Sequence, residues 1–134
     1  MYSKIYSALV QHYISGGFGL PTGYENDGFE PDVGAPYAAV YNLPADSYPD
    51  TVGEIGRDER VGIFQISIFY PTGGGRGDAL AMTDQILMHF KAGSFPEYSG
   101  QIVTIHSSTI SPGRVVDGWY QLDISAAWTA TTLR

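Results

Sequence analysis

Hydrophobic residues cluster most densely between Val61 and Lys91. An apolar run, Val61-Gly-Ile-Phe-Gln-Ile-Ser-Ile-Phe-Tyr70, ends at Pro71 and a glycine-rich turn, and Asp78 to Lys91 then repeats apolar residues at helical spacing. In the run, Phe64, Ile66, Ile68 and Tyr70 fall on one face of a strand and Ile63, Gln65, Ser67 and Phe69 on the other, because successive side chains point to opposite sides. The first face is expected to meet the helices. In the helix, Ala79, Met82, Thr83, Ile86, Leu87 and Phe90 make one packing stripe, with Asp78 as N-cap and Ala92-Gly93 as the stop.

The same rules place the other elements. Tyr2, Ile5, Tyr6, Leu9, Val10, Tyr13 and Ile14 recur at i, i+3, i+4 and i+7, predicting a first helix that Gly16-Gly17 ends. Phe18 to Pro36 is too rich in proline and glycine for a long element, with a short edge strand expected at Tyr24-Glu25-Asn26. Tyr37 to Leu43 reads as a strand stopped by Pro44, because proline cannot donate to a ladder. Gln101 to Ser107 is a third strand, and Trp119 to Trp128 a fourth, with Tyr120, Leu122, Ile124, Ala126 and Trp128 inward. Ala45 to Arg60 carries five carboxylates, two arginines and few apolar groups, and reads as a long polar loop over 44–60. The expected fold class is α+β: one domain over 1–134, a mixed, mostly antiparallel sheet of about four strands, with two helices packed on one face.

Charge narrows the functional classes. The formal net charge is −7, and residues 1–60 hold nine acidic side chains against three basic ones. A surface so poor in Lys and Arg is a weak phosphate binder, which disfavours nucleic-acid recognition. The absence of cysteine removes disulfides, thiolate metal sites and a Cys nucleophile. No run approaches the ~20 apolar residues of a membrane span, so a soluble protein without signal peptide or anchor is expected.

Candidate chemistry is sparse. Thr72-Gly-Gly-Gly-Arg-Gly-Asp78 lies where phosphate loops lie, but it has neither the P-loop nor the dinucleotide pattern, and Asp78 would repel an anion. It reads as a flexible turn. His12, His89 and His106 stand on three elements without zinc-site spacing, and His12 and His89 are expected to face solvent. Asp46, Asp50, Glu54, Asp58 and Glu59 lack calcium-loop spacing and read as solvated charge. No serine sits in a nucleophile elbow or SxxK pair, so no catalytic residue, metal or cofactor is expected. Seven of ten tyrosines fall in the first 60 residues, more than a small core needs to bury, and tyrosine is favoured at interfaces.

Gly23-Tyr-Glu-Asn26, Gly34-Ala-Pro-Tyr-Ala-Ala-Val40, Leu43-Pro44, Arg60 to Pro71 with its glycine turn, and Asp117-Gly-Trp-Tyr120 follow one another in an order and spacing that resembles the tail terminator-like proteins of long-tailed bacteriophages. The 45–60 segment matches no pattern of that family. The resemblance implies a non-enzymatic virion protein, assembled in the host cytoplasm, that caps the head-proximal end of the tail tube as a hexameric ring and joins the head connector. Implied partners are further copies of the chain, the tail tube protein and the connector protein, with DNA passing through unbound and no membrane contact. Such a ring would give the polar loop a purpose, and Tyr48, Asp50, Glu54, Arg57, Asp58 and Arg60 are its expected assembly residues. The competing assignments are another head–tail joining protein of similar fold and a small enzyme or ligand-binding module.

Overall fold

The computed structural model describes residues 2–25, 28–31, 34–49, 56–73 and 77–133. Two long strands, β3 (Arg57–Pro71) and β7 (Trp119–Leu133), pair antiparallel over the whole of their 15 residues. β2 (Tyr37–Pro49) flanks β3, and β5 (Gln101–Ile110) flanks β7. Short strands finish the sheet: β1 (Thr22–Gly23) runs parallel to β2, β4 (Glu97–Tyr98) lies outside β5, and β6 (Arg114–Val116) pairs with the start of β7. The helices are α1 (Tyr2–Ser15) and α2 (Gly77–His89). The fold is therefore mixed α+β with a mostly antiparallel, curled sheet.

The expected four strands undercount a sheet of seven, ordered β1-β2-β3-β7-β5-β4 with β6 on β7. β4 and β6 each belong to a hairpin with a two-residue turn, Ser99-Gly100 and Asp117-Gly118, where both turn residues have positive φ. That geometry matches strand twist, and it allows strands too short to show periodicity. The edge strand lies at Thr22–Gly23, ahead of the Tyr24–Asn26 expected for it. The larger departure concerns 44–60. β2 does not stop at Pro44 but shifts register between Pro44 and Ser47 and continues to Pro49, while β3 already begins at Arg57. An edge strand with a bulge accommodates proline because its outer side needs no ladder bond.

The inward faces follow the alternation in the sequence. Cross-strand rows Ala38–Ile68–Leu122 and Val40–Ile66–Ile124 are buried throughout, as are Phe64 and Ala126 in the next row. Onto them pack Ile5, Ala8, Leu9 and Tyr13 of α1 and Ala79, Thr83 and Ile86 of α2, followed by Phe90. Burying each such large side chain contributes about 1.5–3 kcal/mol before conformational entropy is subtracted. α1 lies over β4 and β5, and α2 over β7 and β3. Trp128, 1% exposed, closes this core, and its Nε1 donates to Asn42 Oδ1 at 3.0 Å. Gly62 faces it across the pair: a Cβ there would stand 2.5 Å from Trp128 Cζ2 and 2.9 Å from the Leu43 carbonyl oxygen.

His12 and His89 do not face solvent as expected but clasp the two helices together. Their rings stack at 4.0 Å and 11°, His12 Nε2 donates to the His89 carbonyl at 2.8 Å, and His89 Nε2 donates to the His12 carbonyl at 2.6 Å. A carbonyl only accepts, so both Nε2 atoms carry protons, and neutral rings suffice. Phe18 and Phe90 meet the pair edge-on. Burial, with the neighbouring His89, holds the His12 pKa below its ordinary 6.5, against a raising effect of the carbonyl bond.

Two outcomes follow for stability. Gly62→Ala overpacks the Trp128 contact and is expected to cost about 1–3 kcal/mol in chemical denaturation. Because His12 titrates lower when folded, the unfolded chain binds more protons below pH 6.5, so unfolding free energy falls as pH drops from 6.5 through the folded pKa. Denaturation at pH 7 and pH 5 is expected to show this loss, with a smaller loss in His12→Asn.

Candidate assembly surface

β3 and β7 each span about 50 Å at strand rise, whereas helices of 14 and 13 residues reach only about 20 Å. Both helices pack on one side, so among the described residues the opposite face of the sheet carries no helix, while the start of α1 reaches the Arg57 end of the long strands through Tyr2 and Lys4. The sequence of this outer face is graded. At one end Tyr37 stacks on Phe69 at 4.5 Å and meets Trp119 edge-on at 5.0 Å. In the middle, Asp123 accepts from Ser67 Oγ at 2.6 Å and Gln121 Nε2 at 2.9 Å, and pairs with Arg114 at 2.9 Å. Burial alone would raise the Asp123 pKa, but these donors and the Arg114 charge together hold it below the ordinary carboxylate value. Beyond lie Tyr41, Leu43 and Ile63, exposed by 40, 49 and 41% and adjacent in register.

The expected assembly residues separate into distinct groups. Asp50 and Glu54 lie outside the described residues. Tyr48 stands opposite Glu59, and Asp58 between Pro49 and Thr132. Arg57 pairs with Leu133 on the outer face and is exposed. Arg60 turns to the helix side and joins four elements: Nε donates to Thr132 Oγ1 at 2.8 Å, Nη1 to the Tyr2 hydroxyl at 3.1 Å and to Ser47 Oγ at 3.2 Å. Its guanidinium also lies 5.0 Å from the Tyr2 ring centroid and 3.9 Å from Asp58. The charged run Arg57-Asp-Glu-Arg60 is thus a strand that is polar on both faces, and its hydrogen-bonding pattern, not its hydropathy, defines it.

The tyrosines divide similarly. Tyr13 is in the core with its hydroxyl 2.8 Å from Thr22 Oγ1, Tyr24 packs against the core, and Tyr2 and Tyr41 are exposed. His106 is exposed, with Nε2 at 2.6 Å from Thr129 Oγ1, and is remote in sequence pairing from the His12–His89 clasp. Among the described residues no group of three His, Cys, Asp or Glu could hold a metal ion, and no helix is long and apolar enough to cross a membrane. Residues 74–76 of the glycine turn lie outside the described set.

The model of the phage tail terminator protein family matches residues 4–128. The chain belongs to that family. It is accordingly a structural component of a phage tail, of a family without enzymatic activity. A solved structure at 18% identity superposes with a TM-score of 0.79, covering 97% of this chain and 95% of its own, which shows the same fold. No curated protein matches in sequence.

The role of Arg60 is measurable. Arg60→Ala is expected to cost about 1.5–3 kcal/mol of stability by leaving Thr132 and its other partners without their charged donor. Urea denaturation of the variant checks the assignment.

Proposed function

We propose that this tail terminator family member closes the head-proximal end of the phage tail tube as a hexameric ring, stops tube polymerisation there and offers the surface on which the head connector docks. The family match over residues 4–128 carries the reading, since it reaches into every long element of the fold. The build supports it. A ring needs two different surfaces on each subunit that meet head to tail. The helix-free face and the strands running out to Pro49 and Arg57 supply candidates distinct from the helical side.

In this reading the subunit assembles in the host cytoplasm, its partners are further copies, the tube protein and the connector protein, and genome DNA crosses the ring without specific contact. The acidic excess of residues 1–60 suits a channel that repels DNA phosphates. Edge pairing into open-ended fibres is disfavoured by Pro44, Pro49 and the bulge on β2, the devices by which edge strands resist uncontrolled addition.

Loss of the gene in its phage is the decisive test. Electron microscopy of the lysate is expected to show overlong tails detached from heads. Tails of normal length that fail to join would instead assign the chain to head–tail joining.

A further inference from the structure

Two exposed apolar clusters stand at opposite margins of the helix-free sheet face. The first is Tyr41, Leu43 and Ile63, where β2 has run past Ala39 and, among the described residues, β1 no longer flanks it. The second is Phe95, Ile102 and Leu133, exposed by 65, 49 and 75%. Val103 N donates to the Pro96 carbonyl at 2.8 Å and Ile105 N to that of Ser94 at 3.0 Å, which sets Phe95 beside Thr104 at the margin where β4 ends the sheet. Ile102 and Leu133 line a groove of about 560 Å³ together with Thr104, Thr129 and Thr131, and its charged lining residues are Lys4 and Arg57. Gln101 Nε2 donates to the carbonyls of Ile102 at 3.0 Å and Thr131 at 3.2 Å, so this wall is held in place before anything enters the groove.

We propose that the first cluster of one subunit seats on the second cluster of its neighbour, with Tyr41 and Leu43 entering the groove beside Ile102. The inference rests on the ring reading and gives it a specific contact. Area and placement select a second copy as the occupant. The exposed fractions leave roughly 300 Å² of the first cluster and roughly 400 Å² of the second in water, against the ~800 Å² that a stable contact takes from each partner. Each cluster is therefore the apolar centre of a larger contact, with the threonine hydroxyls around it as polar rim. One such patch would fit a single foreign partner. Two of similar extent on opposite margins fit a head-to-tail contact that repeats, and closing the ring takes both out of water in every subunit. Tyr41 suits the groove chemically, because its ring covers apolar surface while its hydroxyl meets threonine hydroxyls that both donate and accept. The contact is made by side chains, so Pro44 and the bulge of β2, which hinder ladder pairing, do not oppose it.

The chain has no cysteine, so introduced thiols report the contact without background. The full chain carrying Leu43→Cys/Ile102→Cys, treated with a short bismaleimide under assembly conditions, is expected to crosslink into a series of oligomers, while Leu43→Cys and Ile102→Cys alone stay uncrosslinked. Dimers from either single variant would show like clusters meeting and would overturn the proposal. Leu43→Asp and Ile102→Asp, with Leu43→Ser and Ile102→Ser as milder forms, are expected to keep the wild-type circular dichroism and to weaken association roughly tenfold or more in sedimentation. Each variant keeps one intact cluster, so mixing Leu43→Asp with Ile102→Asp subunits is expected to give dimers that grow no further. Raising salt from about 0.05 to 0.5 M is expected to preserve or strengthen wild-type association, because it screens repulsion between acidic subunits without touching an apolar contact. Dissociation by salt would overturn the proposal. Rings that assemble unchanged in both Asp variants refute this contact and leave the ring standing. A crosslinked series that never closes into rings upholds the contact and refutes the ring. Crosslinking of the double variant in virions only to the tube or connector protein would assign the clusters to those partners instead and overturn the proposal.

Discussion

The unbroken antiparallel pairing of β3 with β7 is the constraint on which the other elements depend. Each inward residue of one strand lies beside an inward residue of the other from Ile68–Leu122 to Gly62–Trp128, so a one-residue slip would expose the whole core. β2 and β5 extend the same rows outward, and the helices cover them. The His12–His89 clasp then fixes α1 to α2 above the sheet, with backbone carbonyls as acceptors that no side-chain substitution removes. The stacked rings and Phe90 make that joint continuous with the core.

That pairing also accounts for the available surface. The strands are about two and a half times the length of the helices that cover them, so the fold leaves one sheet face without a helix by construction. The inner surface is apolar as far as Gly62–Trp128 and turns polar at Arg60 and Thr132, while the outer one passes from aromatic to hydrogen-bonded polar to exposed apolar to cationic. Arg60 is what makes the polar strand end part of the body, because it connects α1, β2, β3 and β7 from the helix side. A rigid strand end can present charge in a fixed direction; a mobile loop would have to be ordered by each partner it met.

The core was legible in the sequence because its signals are periodic. Phe64, Ile66 and Ile68, Leu122 to Trp128, the α2 stripe, and Ile5, Leu9 and Tyr13 of α1 occupy the faces their spacing predicts, whereas Tyr2 and Ile14 at the ends of the α1 stripe are exposed and Ala8, outside it, is buried; Gly17, with φ of 61°, ends α1 where the glycine pair indicated. Three kinds of information were not periodic. Two-residue hairpin turns create β4 and β6 without a hydrophobic pattern. Arg57 to Arg60 is a strand whose inward partners are hydroxyls and a carboxylate, so hydropathy alone reads it as a loop. The histidine clasp joins residues 77 positions apart through backbone carbonyls, which carry no sequence signature. Of the expected assembly residues, Arg57 and Arg60 look alike in sequence, and only the strand pairing separates the inward Arg60 from the outward Arg57.

Family membership places the chain in a phage tail, and the geometry divides its surface into a helical side and a helix-free side. The central claim is that the helix-free face and the Arg57 strand end, not the helices, make the contacts between subunits. A cryo-electron microscopic reconstruction of the head–tail junction tests it most directly. The expected result is a ring whose subunit contacts are built from Arg57, Thr129, Thr131 and the neighbouring outer-face residues, with α2 and the body of α1 away from them. A ring joined through α1 and α2, with the outer sheet face left in solvent, would contradict it.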